Sequence, residues 1–209
     1  MPDRKVLGIL ASGRGSNLQS IMDAILADRL QAKIGVVISD KPEANALRRV
    51  IGMDIPAVCI ERRKFASKQD FEQALAAELK LHRVDLVVLA GFMRLLGSEF
   101  LSRFAGRVMN IHPSLLPSFP GLEAQQQAID YGVRVSGCTV HFVDQGVDSG
   151  PIILQEAVPV LPEDTAGILA ERILAVEHVL YPRAIQLFCQ GQLKLAGRRV
   201  LLEERGSHL

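Results

Sequence analysis

The sequence predicts an α/β fold built on a parallel sheet with helices on both faces. Two observations predict it. Short apolar runs alternate with longer amphipathic stretches through the first half of the chain. The runs are nearly continuous in Val, Ile and Leu, the signature of strands buried on both faces. In such sheets ligands bind at the carboxyl ends of the strands. The places to look are therefore just after Ala11, Ala90 and Ile111.

Residues 6–11 read as a buried strand. Residues 17–30 have helical spacing, with Leu18, Ile21, Met22, Ile25 and Leu26 on one face. A second strand follows at 34–39, a short helix at 44–51 after turn residues 40–42, and a third strand at 57–60. The helix at 67–81 turns Phe71, Leu75, Ala76 and Leu79 inward. Strands at 85–90 and 108–111 flank a short helix at 98–104. The Pro-rich stretch 112–121 cannot be helical. It must reverse direction, so a cis bond is expected at Leu116–Pro117, where the cost over trans is only about 0.5–1 kcal/mol. A helix at 122–131 precedes strands at 137–143 and 152–160, separated by the loop 144–151. A long helix spans 165–190, and short strands at 193–195 and 199–202 end the pattern. Residues 203–209 read as a loose tail. No repeat or linker interrupts the chain, so a single domain over 1–209 is expected.

The chain has 209 residues, is 48% hydrophobic and carries a formal net charge of +1. That supports a large core and excludes disorder. There is no Trp, aromatics make up 5%, and basic and acidic residues are interspersed. A nucleic-acid surface is not expected. Cys59, Cys138 and Cys189 are odd in number and form no C-x-x-C, which argues against a disulfide framework or a cysteine zinc site and for reduced, mostly buried thiols. The apolar run at 6–11 is too short for a secretory segment, and none is long enough for a membrane span. The expectation is a soluble, cytoplasmic protein.

Three segments carry candidate chemistry. The turn Ser12-Gly13-Arg14-Gly15-Ser16-Asn17 joins a strand to a helix. Glycines allow a sharp turn and close ligand approach, and a helix N-terminus favours phosphate. The turn is neither G-x-G-x-x-G nor a P-loop, which disfavours a dinucleotide or nucleoside triphosphate. It could equally be an ordinary turn capped by Ser16 or Asn17. Next, Asn110 and His112 alternate on one strand and share a side of it. An amide can donate to a developing oxyanion and an imidazole can donate or shuttle a proton. Last, the loop after residues 141–143 holds Asp144 and Asp148 among glycines. One of these acids could pair with His112, favouring the charged form of both. The loop lacks EF-hand spacing, and neither G-x-S-x-G nor H-E-x-x-H occurs, so calcium, a serine nucleophile and a zinc hydrolase have little support. The apolar segment 90–96, with its one cation Arg94, would suit a flat heteroaromatic ring.

Together these pieces resemble the glycinamide ribonucleotide formyltransferase family. The resembling runs are Ser12-Gly13-x-Gly15-Ser16-Asn17-Leu18, Leu89-Ala90-Gly91-Phe92-Met93-Arg94, Asn110-Ile111-His112-Pro113-Ser114-Leu115-Leu116-Pro117, His141-Phe142-Val143-Asp144, Asp148-Ser149-Gly150-Pro151-Ile152 and Glu177-His178-x-x-Tyr181-Pro182. The resemblance covers residues 6–194. It implies a Rossmann-like three-layer formyltransferase fold, with a mostly parallel central sheet and one later strand antiparallel. It implies a nucleotide-binding half at about 1–100 and a folate-binding, catalytic half at about 101–195. Gly15, Ser16 and Asn17 would hold the phosphate of glycinamide ribonucleotide, and Glu177 its ribose. Lys68, Met93, Arg94, Leu95, Leu96, Asn110, Val143 and Asp144 would bind folate. Asn110, His112 and Asp148 would be catalytic, without a metal. The implied reaction uses 10-formyltetrahydrofolate as co-substrate, with no tightly bound cofactor, and formylates the ribonucleotide amine in purine biosynthesis. No nucleic acid or membrane partner is implied, and the protein would be a monomer or homodimer.

Two departures from the family pattern stand out. Lys68 stands where members often carry Arg, and the run Leu122-Glu123-Ala124-Gln125-Gln126-Gln127 replaces a histidine-containing one. The rival families share the trio. Formyltetrahydrofolate deformylase adds an N-terminal regulatory domain, and methionyl-tRNA formyltransferase a C-terminal RNA-binding domain, whereas fewer than twenty residues follow Gly191 here. A non-catalytic folate- or nucleotide-binding module would be expected to have lost part of the trio.

Overall fold

The computed structural model describes residues 4–203. The chain packs as two compact units, Met1–Ile111 and His112–Leu209.

The first unit contains β1 (Lys5–Leu10), α1 (Ser16–Leu26), β2 (Ala32–Ser39), α2 (Asn45–Arg48), β3 (Ala57–Cys59), α3 (Lys68–Leu81), β4 (Leu86–Leu89), α4 (Ser98–Arg103) and most of β5 (Val108–His112). Its strands lie in the order β3-β2-β1-β4-β5, and every pair is parallel. The chain builds outward from β1 to β3, then returns to place β4 on the other side of β1. Right-handed crossovers consequently put α1 and α2 on one face and α3 and α4 on the other. The reversal between β1 and β4 opens a crevice beyond their carboxyl ends, the usual ligand site of such sheets. Strands β1, β2 and β4 supply the core, with Leu7, Ile9, Leu10, Val37, Ile38 and Val88 fully buried.

The expected helix at 17–30 is shorter: it closes at Leu26, which is exposed, and Asp28 takes a positive φ of 56°. The helix at 67–81 begins after Ser67, whose hydroxyl and the Asp70 carboxylate form a reciprocal capping box. A 3-10 turn at Arg62–Lys64 was not foreseen. Its Glu61 carboxylate binds Arg63 and Lys64.

The second unit holds α5 (Ala124–Tyr131), β6 (Val135–Phe142), β7 (Ile152–Pro159), α6 (Ala166–Cys189), β8 (Leu193–Ala196) and β9 (Arg199–Leu202). Its order is β6-β7-β9-β8, with β6–β7 and β8–β9 antiparallel. The antiparallel part is thus larger than a single strand. Helix α6 is capped by Thr165, runs on through Pro182 and packs on β6 and β7. Leu169, Ile173, Tyr181 and Ile185 are fully buried along it.

The Pro-rich loop has its cis bond at Leu116–Pro117. Thr139 of β6 ties the loop down: its hydroxyl donates to Ser114 O (2.7 Å) and accepts from Leu116 N (3.0 Å). Gln155 of β7 adds a bond to Leu116 O at 2.9 Å. The chain residues 204–209 of the expected tail lie outside the described residues. Glu203 itself donates its N–H to Gln192 O and pairs with Lys194.

The thiols correct one expectation. Only Cys138 is buried, whereas Cys59 is exposed and Cys189 half-buried. Cys59 ends β3, the first strand in the sheet order, beyond which no strand lies among the described residues. Among the described residues no helix is long and apolar enough to cross a membrane.

Candidate active site

In the first unit, the turn after β1 lines a cleft of about 400 Å³ together with residues after β4. Gly15, Ser16 and Asn17 share this cleft with Lys41, Gly91 and Met93. Gly15 has φ +70°, and a Cβ there would lie 2.8 Å from the Cα of Ala46. Both facts require glycine. Gly15 is the N-cap of α1 and provides no side-chain cap, and the first turn holds no acidic residue. The expected alternative, capping by Ser16 or Asn17, is therefore not what the structure contains. Uncapped N–H groups and the positive end of the helix dipole suit a phosphate, and the cations Arg14 and Lys41 line the same cleft.

The segment after β4 divides in character. Met93 and Leu95 are about two-thirds exposed (66% and 65%), offering apolar surface for a flat ring, while Leu96 is buried. Arg94 is turned toward Asp40, its Nε 2.7 Å from Oδ2. Lys68, on α3, faces Glu72 at 3.6 Å with its side chain half exposed. Glu72 also accepts a bond from Gly97 N.

In the second unit, a carboxylate and two imidazoles come together. Asp148 takes a positive φ of 49°, a region Asp tolerates better than most residues. Its Oδ2 accepts from Gly121 N at 2.8 Å and lies 3.2 Å from His112 Nδ1. Its Oδ1 lies 3.7 Å from His141 Nε2. His112 is buried, and its Nε2 is 2.8 Å from Phe119 O. A carbonyl and a carboxylate both accept, so an imidazolium satisfies both contacts by donating from each nitrogen. To meet a substrate oxygen through Nε2, His112 must release Phe119 O.

His141 is the member that sequence reasoning passed over. A histidine inside an apolar strand reads as core, and nothing in its spacing points to Asp148. Burial above all holds its pKa below the ordinary imidazole range, against smaller upward effects of the Phe142 carbonyl and Asp148. Its Nδ1 lies 2.9 Å from Phe142 O and therefore carries the proton in the neutral ring.

Asp144 organises its own loop. Oδ1 accepts from Gly146 N (3.1 Å) and Ser149 Oγ (2.6 Å), and Val143 beside it is half-buried. A Cβ at Gly150 would collide with the carbonyl of Phe142, so the loop closes tightly on the end of β6. Glu177 is buried on α6, near enough to Cys138 to add to the burial that pushes that thiol up to about 12. Asn110 is half-buried and alternates with His112 on β5, so both side chains leave one face of that strand. No group of three or more His, Cys, Asp or Glu residues suited to a metal ion occurs among the described residues.

The chain as a whole is similar to known proteins. The formyl transferase family matches residues 5–185. The phosphoribosylglycinamide formyltransferase of Bacillus subtilis is 42% identical over 87% of this chain and 93% of its own length. The crystal structure of glycinamide ribonucleotide transformylase 1 from Symbiobacterium toebii superposes with a TM-score of 0.95 at 50% identity, covering 98% of this chain and 96% of that one. The trifunctional purine biosynthetic protein adenosine-3 of Drosophila melanogaster is 47% identical over 90% of this chain, which spans only 14% of that longer protein. The chain belongs to the formyl transferase family, on its phosphoribosylglycinamide formyltransferase branch.

Proposed function

We propose that the chain transfers the formyl group of 10-formyltetrahydrofolate to the amine of glycinamide ribonucleotide, giving formylglycinamide ribonucleotide and tetrahydrofolate in purine biosynthesis. The observation that carries this reading is the His112–Asp148 pair at 3.2 Å, in a chain with an uncapped glycine turn fit for phosphate. The relatives named above support the choice of substrates.

In this reading Gly15, Ser16 and Asn17 hold the phosphate and Glu177 the ribose. Met93, Arg94, Leu95 and Leu96 take the pteridine, with Lys68, Asn110, Val143 and Asp144 as further folate contacts. The nucleotide half is about 1–100 and the folate-binding, catalytic half about 101–195. The amine attacks the formyl carbon, a carbon–nitrogen bond forms and the carbonyl becomes an oxyanion. Asn110 and the His112 imidazolium donate to that oxyanion, and such a donor is worth about 3–4 kcal/mol. Asp148 complements the imidazolium. Collapse breaks the bond from the formyl carbon to the folate nitrogen, and the proton lost by the amine ends on that nitrogen. The reaction belongs to the cytoplasm, carried out by a monomer or homodimer.

The test is to incubate the purified chain with 10-formyltetrahydrofolate, with and without glycinamide ribonucleotide. Formyl consumption that requires the ribonucleotide is expected. Equal consumption in its absence would mean hydrolysis and overturn the proposal.

A further inference from the structure

The segment 91–94 does not simply leave β4; it is pulled back at three points, all inside the first unit. Ser12 N donates to Gly91 O at 2.9 Å. Met93 N donates to Ser12 Oγ at 3.0 Å. Arg94 Nε donates to Asp40 Oδ2 at 2.7 Å. Ser12 and Asp40 are buried, at 4% and 5% exposure, and stand just past the ends of β1 and β2. Gly91 has φ +75°, so the chain bends there and needs holding beyond the bend. Ser12 also opens the phosphate turn, and it lines the same cleft as Met93.

The Ser12 hydroxyl therefore touches the backbone of one proposed substrate site while its own backbone begins the other. Met93 is largely exposed, so water can satisfy its N–H if the hydroxyl is removed. What would be lost is a fixed position more than a buried hydrogen bond. Asp40 plays a narrower part, because its bond reaches the folate-side residue Arg94 alone.

We propose that Ser12 and Asp40 are positioning residues for the segment 91–94, and that Ser12 makes the binding of the two substrates interdependent. The inference rests on the substrate assignment above. Tetrahydrofolate and glycinamide ribonucleotide form a complex that cannot react, because no formyl group is present. Calorimetric titration of tetrahydrofolate, with and without saturating ribonucleotide, then reads the coupling directly. By linkage the ratio of Kd values is the same whichever ligand is added first. The wild-type chain is expected to bind tetrahydrofolate at least about fivefold more tightly in the presence of the ribonucleotide. Ser12→Ala is expected to reduce that factor below about twofold, and Ser12→Thr, which keeps the hydroxyl, to restore it. Asp40→Asn is expected to weaken tetrahydrofolate itself while leaving the ratio near wild type. Thermal melts of each variant separate a loss of fold from a loss of coupling. Coupling that survives Ser12→Ala, or wild-type binding of both ligands without coupling, overturns this inference alone. A wild-type chain that binds neither ligand overturns the substrate assignment and the inference with it.

Discussion

The turn after β1 and the carboxylate after β6 are built from different materials. The first relies mainly on backbone: two glycines and a helix end without a side-chain cap, with Arg14 and Lys41 lining the cleft. The second relies on side chains, with one carboxylate between two imidazoles and a backbone N–H. A backbone site is held by conformation, so it fails when φ is disturbed. A side-chain site is held by charge and hydrogen bonds, so it fails when one atom changes.

Substitutions can break that contrast, and the largest effect belongs to the side-chain site. Asp148→Asn keeps an oxygen for Gly121 N and removes the charge beside His112. We expect kcat to fall by about 10²–10⁴-fold, with the KM for the ribonucleotide changed less than about threefold. Steady-state kinetics decides it, and a ribonucleotide KM that moves as much as kcat would mean the two sites are not separable in this way.

At the backbone site, Gly15→Ala places a Cβ against Ala46 and forces an L-residue into left-handed conformation, a strain of about 1–2 kcal/mol. The ribonucleotide KM should rise about tenfold while kcat at saturation falls far less. A kcat loss equal to that of Asp148→Asn would contradict the assignment of the turn to phosphate binding.

His141→Gln probes the quieter partner of Asp148. A loss of about three- to tenfold in kcat is expected, from the changed packing beside the Asp148 carboxylate, since at 3.7 Å His141 Nε2 makes no hydrogen bond to it. Stability should report it as well. Because burial lowers the folded-state pKa of His141, its contribution is present above the ordinary value of about 6.5 and is lost as pH falls below it. Urea unfolding at pH 7.5 and 5.5 should show a smaller pH effect in the variant than in the wild type.

The smallest effect lies away from both sites. Arg172 holds the Asp164 carboxyl down at about 2, assisted by Leu161 N. A depressed carboxyl contributes stability present above its unfolded value and lost as pH falls toward about 2. Arg172→Ala should move acid unfolding, followed by circular dichroism, to higher pH and leave activity at neutral pH unchanged.

The parallel sheet was readable because buried strands leave continuous Val, Ile and Leu runs, as in Val87 and Val88 of β4. The Asn110–His112 alternation needed only the twofold repeat of a strand. The cis bond followed from three prolines crowded into a reversing loop. Contacts made at long range left no such trace. Nothing local joins Asp40 to Arg94, Thr139 to Ser114 and Leu116, Ser12 to Met93, or His141 to Asp148. The end of the first helix was misjudged because Leu26 and Leu30 keep helical spacing, yet Leu26 is exposed and the chain has already turned at Asp28. The thiols were expected to be mostly buried because cysteine usually is, yet Cys59, at the end of β3, is exposed.

The three thiols, finally, make the chain easy to tag. Only a thiolate attacks an electrophile readily, and Cys138, buried and pushed up to about 12, is withheld from such chemistry in the native state. Cys59 is open to solvent and Cys189 half so, although desolvation and the Glu61 carboxylate raise the Cys59 thiol too, so tagging needs mildly alkaline pH. With Cys189 replaced by Ser, a maleimide dye would settle on Cys59 alone, giving a single optical reporter at the end of β3 in the first unit.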